Sequence, residues 1–172
     1  MSVAVVVGNP KLASRTLRVA MAVAGALQGA RVAGAEDPLV VDLASLGPEL
    51  FDFDSPAVPA ALDAVAHSDL LVVASPTYKA TYTGLLKSFF DRYNSDALEG
   101  TVSVPVMTGA APIHALAPEV HLRPLLVELG SSTPTRGLYV TEQQFDDLDT
   151  VVASWARAAR PLVERALSDL SR

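Results

Sequence analysis

The chain has 172 residues, half of them apolar, which suits one globular domain over residues 1–172 with a sizeable core. Its 13 basic and 19 acidic residues leave a net charge of −6 and form no basic run, a poor fit to nucleic acid or an anionic membrane surface. It has no cysteine, which excludes disulfides, iron–sulfur clusters and thiolate metal sites.

Val3 to Val7 reads as a first buried strand, and Gly8-Asn9-Pro10 breaks it too early for a secretory leader. No apolar run approaches the roughly 20 residues of a membrane span, so a cytoplasmic protein is expected. Arg15 to Gln28 is a first helix, with Leu17, Ala20, Met21, Ala24 and Leu27 at helical spacing and Gly29 and Gly34 helping to end it. Pro38 opens a second strand, Leu39 to Leu43, and residues 44–58 form a loop rich in Pro, Asp and Phe. Ala60 to Ala66 is a short helix. Leu70 to Ala74 is a third strand, apolar and partly β-branched as a strand buried on both faces should be, and Pro76 stops its ladder. Gly84 lets the next helix, Gly84 to Tyr93, start close to that strand. It carries Leu85, Leu86, Phe89, Phe90 and Tyr93, more large side chains than one stripe needs.

Val102 to Met107 is a fourth strand, in which Pro105 is awkward for an interior position. Ala115 to Leu129 carries a helix that Pro118 and Pro124 should kink. A fifth strand ends at Leu138 to Val140, with Pro134 and Gly137 suiting an edge. Asp147 to Leu170 is a long last helix with Pro161 inside it. Five strands alternating with five helices predict an α/β three-layer sandwich around a parallel sheet, in the order 2-1-3-4-5.

That order gathers the tips of the first, third and fourth strands, where open α/β sheets bind ligands. The first loop holds Asn9, Ser14, Arg15 and Thr16. Ser14 can cap the following helix, whose free N–H groups and the Arg15 guanidinium make an anion site suited to one monophosphate. No nucleotide loop or dinucleotide fingerprint is present. The second loop holds Pro76, Thr77, Tyr78 and Lys79, a polar turn with an aromatic ring. The third holds Thr108, Gly109 and Ala110, small enough for backbone to approach a flat ring. Taken singly, each admits a plainer reading as a cap, a loop edge or a strand-to-helix turn. His67, His114 and His121 have no ligand spacing, so no metal is expected.

Pro76, Tyr78, Lys79, Gly84, Leu86 and Lys87 resemble the second flavin-binding segment of the NAD(P)H-dependent FMN reductases, a flavodoxin-like family. Gly8, Asn9, Pro10, Ser14, Arg15 and Thr16 resemble that family's phosphate loop, and the resemblance runs along nearly the whole chain. Within the family the alkanesulfonate-type reductases are the most similar, on His114, Leu116, Ala117, Arg123 and Pro124. Some of these place a bulge in that helix at a subunit interface, which makes His121 a candidate interface residue.

The resemblance implies hydride transfer from NADPH or NADH to FMN, with no catalytic acid, base or nucleophile supplied by the protein. It implies a homodimer or homotetramer and a possible flavin-dependent monooxygenase as partner. Backbone N–H groups from Thr77 to Lys79 are expected to face the reduced ring. Two alternatives share these motifs: an FMN-bound quinone, azo-dye or metal-ion reductase, and a non-enzymatic flavodoxin-like electron carrier. Neither the nicotinamide preference nor the residence of FMN as cofactor or substrate is legible.

Overall fold

Successive side chains of a strand point to opposite faces, so a strand can be apolar throughout only if both faces are covered. Strands β1 (Val3–Val7) and β3 (Leu70–Pro76) meet that condition, with every residue buried. Val3, Val5 and Val7 enter one core, with Leu70, Val72 and Ala74 of β3. Ala4 and Val6 enter the other, with Leu71 and Val73. The computed structural model describes residues 1–28 and 37–170. It adds β2 (Leu39–Asp42), β4 (Val102–Gly109) and β5 (Leu138–Thr141), and the five strands form one parallel sheet in the order β2-β1-β3-β4-β5. The expected architecture and order are therefore found.

Helices α1 (Arg15–Gln28) and α5 (Leu148–Leu170) cover the first face, through Val19, Val23, Leu27, Val152, Ala159 and Val163. Helices α2 (Ala57–Ala66), α3 (Gly84–Phe90) and α4 (Arg123–Glu128) cover the second. No helix among the described residues is long and apolar enough to cross a membrane. Gly29 and Gly34, expected to end α1, lie outside the described residues.

Several local expectations need correction. Leu43 leaves β2 for a 3-10 turn that Asp42 caps, and a second 3-10 turn, Gly47–Phe51, follows it inside the expected loop. Helix α2 starts earlier, at Ala57. Helix α3 stops at Phe90, and its start is set by Thr83, whose Oγ1 accepts from the Leu86 N–H at 3.1 Å. Gly84 faces open space, so close approach to the strand does not require it. Pro134 and Gly137 precede β5 rather than lie in it.

Pro105 has a physical account. A bridge joins Val102 to Ser132, and the β4–β5 ladder resumes only at Val106 opposite Leu138. Pro105 falls in the gap between them. Its carbonyl and ring lie toward Gly137, so its missing N–H faces a stretch that runs no ladder.

The expected kinked helix over 115–129 is divided into a π turn at Pro118–Leu122 and then α4, and a separate 3-10 turn at Pro112–His114 precedes them. Proline has no N–H for an i→i−4 bond, and Pro118 and Pro124 sit at the starts of the last two parts. Arg123 ties this segment to the approach to β5. Its Nε donates to Glu119 at 2.7 Å, and its Nη atoms donate to the Thr133 and Thr135 carbonyls at 2.5 Å each. Glu119 also accepts the Gly137 N–H at 2.6 Å. The Arg123 hydrogen bond holds the Glu119 carboxyl below its ordinary range, against a smaller desolvation effect.

Candidate functional site

The loop after β1 is drawn in by Gly8. Its N–H donates to Ala74 of β3 at 2.8 Å, and a Cβ there would come within 2.5 Å of the Leu86 side chain. Asn9 Oδ1 accepts the Lys11 N–H at 2.9 Å, and its Nδ2 donates to Thr16 Oγ1 at 3.0 Å. Ser14 Oγ accepts the Leu17 N–H at 3.2 Å, the cap expected from the sequence. The first turn of α1 contains no acidic residue. Its Arg15 and Thr16 N–H groups have no partner among the described residues, so they remain free for an anion. The Thr16 hydroxyl is not free. It is buried and bonds Thr108 Oγ1 at 3.0 Å, fastening the first loop to the third.

In the second loop, Thr77 donates its N–H to Thr108 at 2.7 Å, and Tyr78 donates to Thr81 at 2.8 Å. Both groups are spent, which corrects the expectation that N–H groups from Thr77 to Lys79 all face a ligand. Tyr78 and Thr81 pair across a two-residue turn whose central residues, Lys79 and Ala80, have φ of 51° and 71°. Such hairpin turns require positive φ at both positions and favour Asn-Gly. Here Lys and Ala bear the strain, and among the turn residues only these two keep unpaired N–H groups. Ala13, with φ of 50°, is a third left-handed residue beside the same cleft.

The third loop is closely packed at Gly109. A Cβ there would lie 2.0 Å from the Tyr139 hydroxyl, which donates to Ala111 O at 3.0 Å. The missing side chain makes room for Tyr139 of β5.

These loops enclose a cleft of about 440 Å³, a size that takes a small-molecule ligand. Of the residues expected at the site, Asn9, Ser14, Arg15, Thr16, Thr77, Tyr78, Gly109 and Ala110 line it. Pro76 and Thr108 stand behind the wall as the last paired register of β3 and β4, and Lys79 lies outside it at the turn. Thr77 Oγ1 is shielded from solvent and has no partner among the described residues. Such an orphan hydroxyl costs about 1–3 kcal/mol until a ligand satisfies it.

Sequence reasoning missed the contribution of the β5 tip. Thr141 and Gln144 bond each other through the Thr141 N–H and Gln144 Oε1 at 2.9 Å. This turn presents Glu142 and Phe145 to the cleft. Arg15 Nη2 donates to Glu142 Oε1 at 2.5 Å, and the guanidinium lies 5.2 Å from the centre of the Phe145 ring. The signal available was positional, since β5 ends at the same edge of the sheet.

A second hollow of about 400 Å³, lined by Met1, Asp69, Gly100 and the end of α5, sits at the opposite ends of the strands. That is not the ligand edge of a parallel sheet. No group of three or more potential metal ligands occurs among the described residues.

The family model described as NADPH-dependent FMN reductase matches residues 1–146. An FMN reductase (NADPH) of Pseudomonas aeruginosa is 37% identical over 135 residues, 76% of this chain and 73% of that protein. An NADH-dependent FMN reductase, SfnF, of Pseudomonas fluorescens is 37% identical over 122 residues, 70% of this chain and 65% of that protein. The solved structure of an NADH:FMN oxidoreductase, EMOB, in its apo form superposes with a TM-score of 0.82 at 29% identity, covering 98% of this chain and 89% of that one. With the ligand cleft at the strand tips and most of the chain matched, the protein belongs to the NADPH-dependent FMN reductase family.

Proposed function

We propose that the chain reduces FMN with NADPH or NADH. The observation that carries this is the cleft itself, in a member of this family. An uncapped pair of N–H groups, the Ser14 hydroxyl and Arg15 share its lining with the orphan Thr77 hydroxyl and Tyr78. The residues present fit the group. Ser14, Arg15 and the first turn of α1 would hold the phosphate. Thr77, Tyr78, Gly109 and Ala110 would line the ring. When bound, the flavin accepts a hydride from the reduced nicotinamide. The protein's own work is binding and orientation. Lys79 and Ala80 hold free N–H groups on the turn that follows Tyr78, outside the lining itself, where they can stabilise negative charge on a ligand that extends past it. Tyr78 is 52% exposed, which leaves the rim open to a second substrate.

Consumption of NADPH under anaerobic conditions with FMN as sole acceptor tests the reading. Turnover with quinone but not free FMN would favour a quinone, azo-dye or metal-ion reductase. No NADPH oxidation at all would favour an electron carrier.

We infer further that the protein works in the cytoplasm as a homodimer or homotetramer, and that a flavin-dependent monooxygenase consumes its product. Of the large side chains on and just after α3, Leu86, Phe89 and Phe90 are buried within the chain, while Leu85 and Tyr93 are half-buried. The support comes from Ile113, Leu116, Val120 and Val127, all more than half exposed along the π-turn segment. The charged Glu119 and Arg123 of that stretch bond each other, leaving the exposed apolar side chains to face a second copy. His121 is exposed beside them, where it was expected.

A further inference from the structure

We propose that Glu142 sets the affinity for FMN by competing with its phosphate for Arg15. This rests on the reading of the cleft as an FMN site.

An anion site should present donors and positive charge, and the first turn of α1 does so. The carboxylate at the same end of the cleft does not belong in that chemistry. Glu142 Oε1 already accepts from Arg15 Nη2 at 2.5 Å. Among the described residues Arg15 is the single arginine lining the cleft, and its position over the Phe145 ring holds it on the Glu142 side. Glu142 is itself held. It opens a 3-10 turn whose start is fixed by two bonds from Thr141 to Gln144, so it projects from the rigid tip of β5 rather than from a free loop.

Among the described residues the charged ones lining the cleft are Lys11, Arg15 and Glu142, which sum to +1. A phosphate monoester carries about −1.5 to −2 at neutral pH. To reach Arg15 it must displace the carboxylate or share the guanidinium with it, and like charges brought together repel. The Ser14 hydroxyl and the free N–H groups still recognise the phosphate. Glu142 therefore lowers the affinity without removing the selectivity, so that FMN enters and leaves as an exchanging substrate. A carboxylate that merely oriented Arg15 toward the phosphate would act in the opposite direction.

The test is a fluorescence titration of FMN and of riboflavin against the wild-type protein and E142Q, with stopped-flow release of FMN. Glutamine keeps the size and a hydrogen-bonding oxygen while removing the charge. Glu142 is half exposed, so the variant should fold, and E142D is a second variant that retains the charge on a shorter reach. E142Q is expected to bind FMN about tenfold tighter, with release slowed to match, the scale of one lost charge competition. Riboflavin affinity should not change, and E142D should fall between wild type and E142Q. FMN affinity unchanged or weakened in E142Q, with wild type still preferring FMN to riboflavin, would overturn the competition and leave the phosphate site standing. Equal affinity of the wild type for FMN and riboflavin would overturn the phosphate site and this inference together.

Discussion

Arg15 is the residue on which the phosphate end of the cleft turns. Replacing it with alanine should weaken FMN by about 1.5–3 kcal/mol, the range of a charge-assisted pairing, and leave riboflavin untouched. Isothermal or fluorescence titration of both ligands reads this, and equal losses for the two would place Arg15 outside phosphate recognition. Its neighbours show how far a sequence reaches at this scale. Ser14 was legible as a cap because cap chemistry is local, and the Leu17 N–H does bond it. The bond from the Thr16 hydroxyl to Thr108 was not legible, because Thr108 is 92 positions away. Glu142 was invisible for the same reason, since nothing within its own turn announces a bond to Arg15. Ala80 offers a test of strain. Its φ of 71° suits glycine, so Ala80→Gly should stabilise the fold by about 0.5–1 kcal/mol. Relief of a left-handed residue gives about 1–2 kcal/mol, less the greater unfolded-state entropy of glycine. A higher urea midpoint at unchanged slope is the expected readout, and a lower midpoint would show that the turn is not strained at Ala80.

At the scale of elements, β1, α1 and β3 were readable nearly to the residue because each is periodic and locally punctuated. The segment from Pro112 to Glu128 was not. Its prolines announced a break, but the division into 3-10, π and α parts depends on a clamp to distant chain. Arg123 reaches Thr133 and Thr135 while Glu119 reaches Gly137. That clamp carries a pH dependence with a definite sign. The Glu119 pKa is lowered in the folded protein by the Arg123 hydrogen bond. Its contribution is therefore complete above the unfolded glutamate value of about 4.3 and is lost as pH falls through the lower folded value. Glu119→Gln should flatten the acid limb of a stability-against-pH curve and leave the protein less stable near neutrality. An unchanged acid limb would assign the loss to other carboxylates. Arg123→Lys should not substitute, because an ammonium cannot bond three diverging acceptors in one plane.

For the whole molecule, the alternation of apolar strands and amphipathic helices fixed a parallel sheet, and chain length selected its order. What covers the exposed apolar side chains was not legible, since the sequence showed α3 overfull without showing that Leu86, Phe89 and Phe90 turn inward while Leu85 and Tyr93 stay half-buried. A second copy on the π-turn segment is the cover proposed for the exposed side chains. Leu116→Asp with Val120→Asp should then shift the light-scattering mass to the monomer without lowering FMN affinity, whereas a monomeric wild type at micromolar concentration would contradict the interface.

Hydride transfer to free FMN is the activity proposed for the cleft. Its most direct test is anaerobic mixing of the purified chain with NADPH and an excess of FMN, following the flavin absorbance. The absorbance of the whole FMN pool should bleach at a rate proportional to protein, with one NADPH oxidised for each FMN reduced. Bleaching no faster than in buffer alone, with NADPH and with NADH, would contradict it.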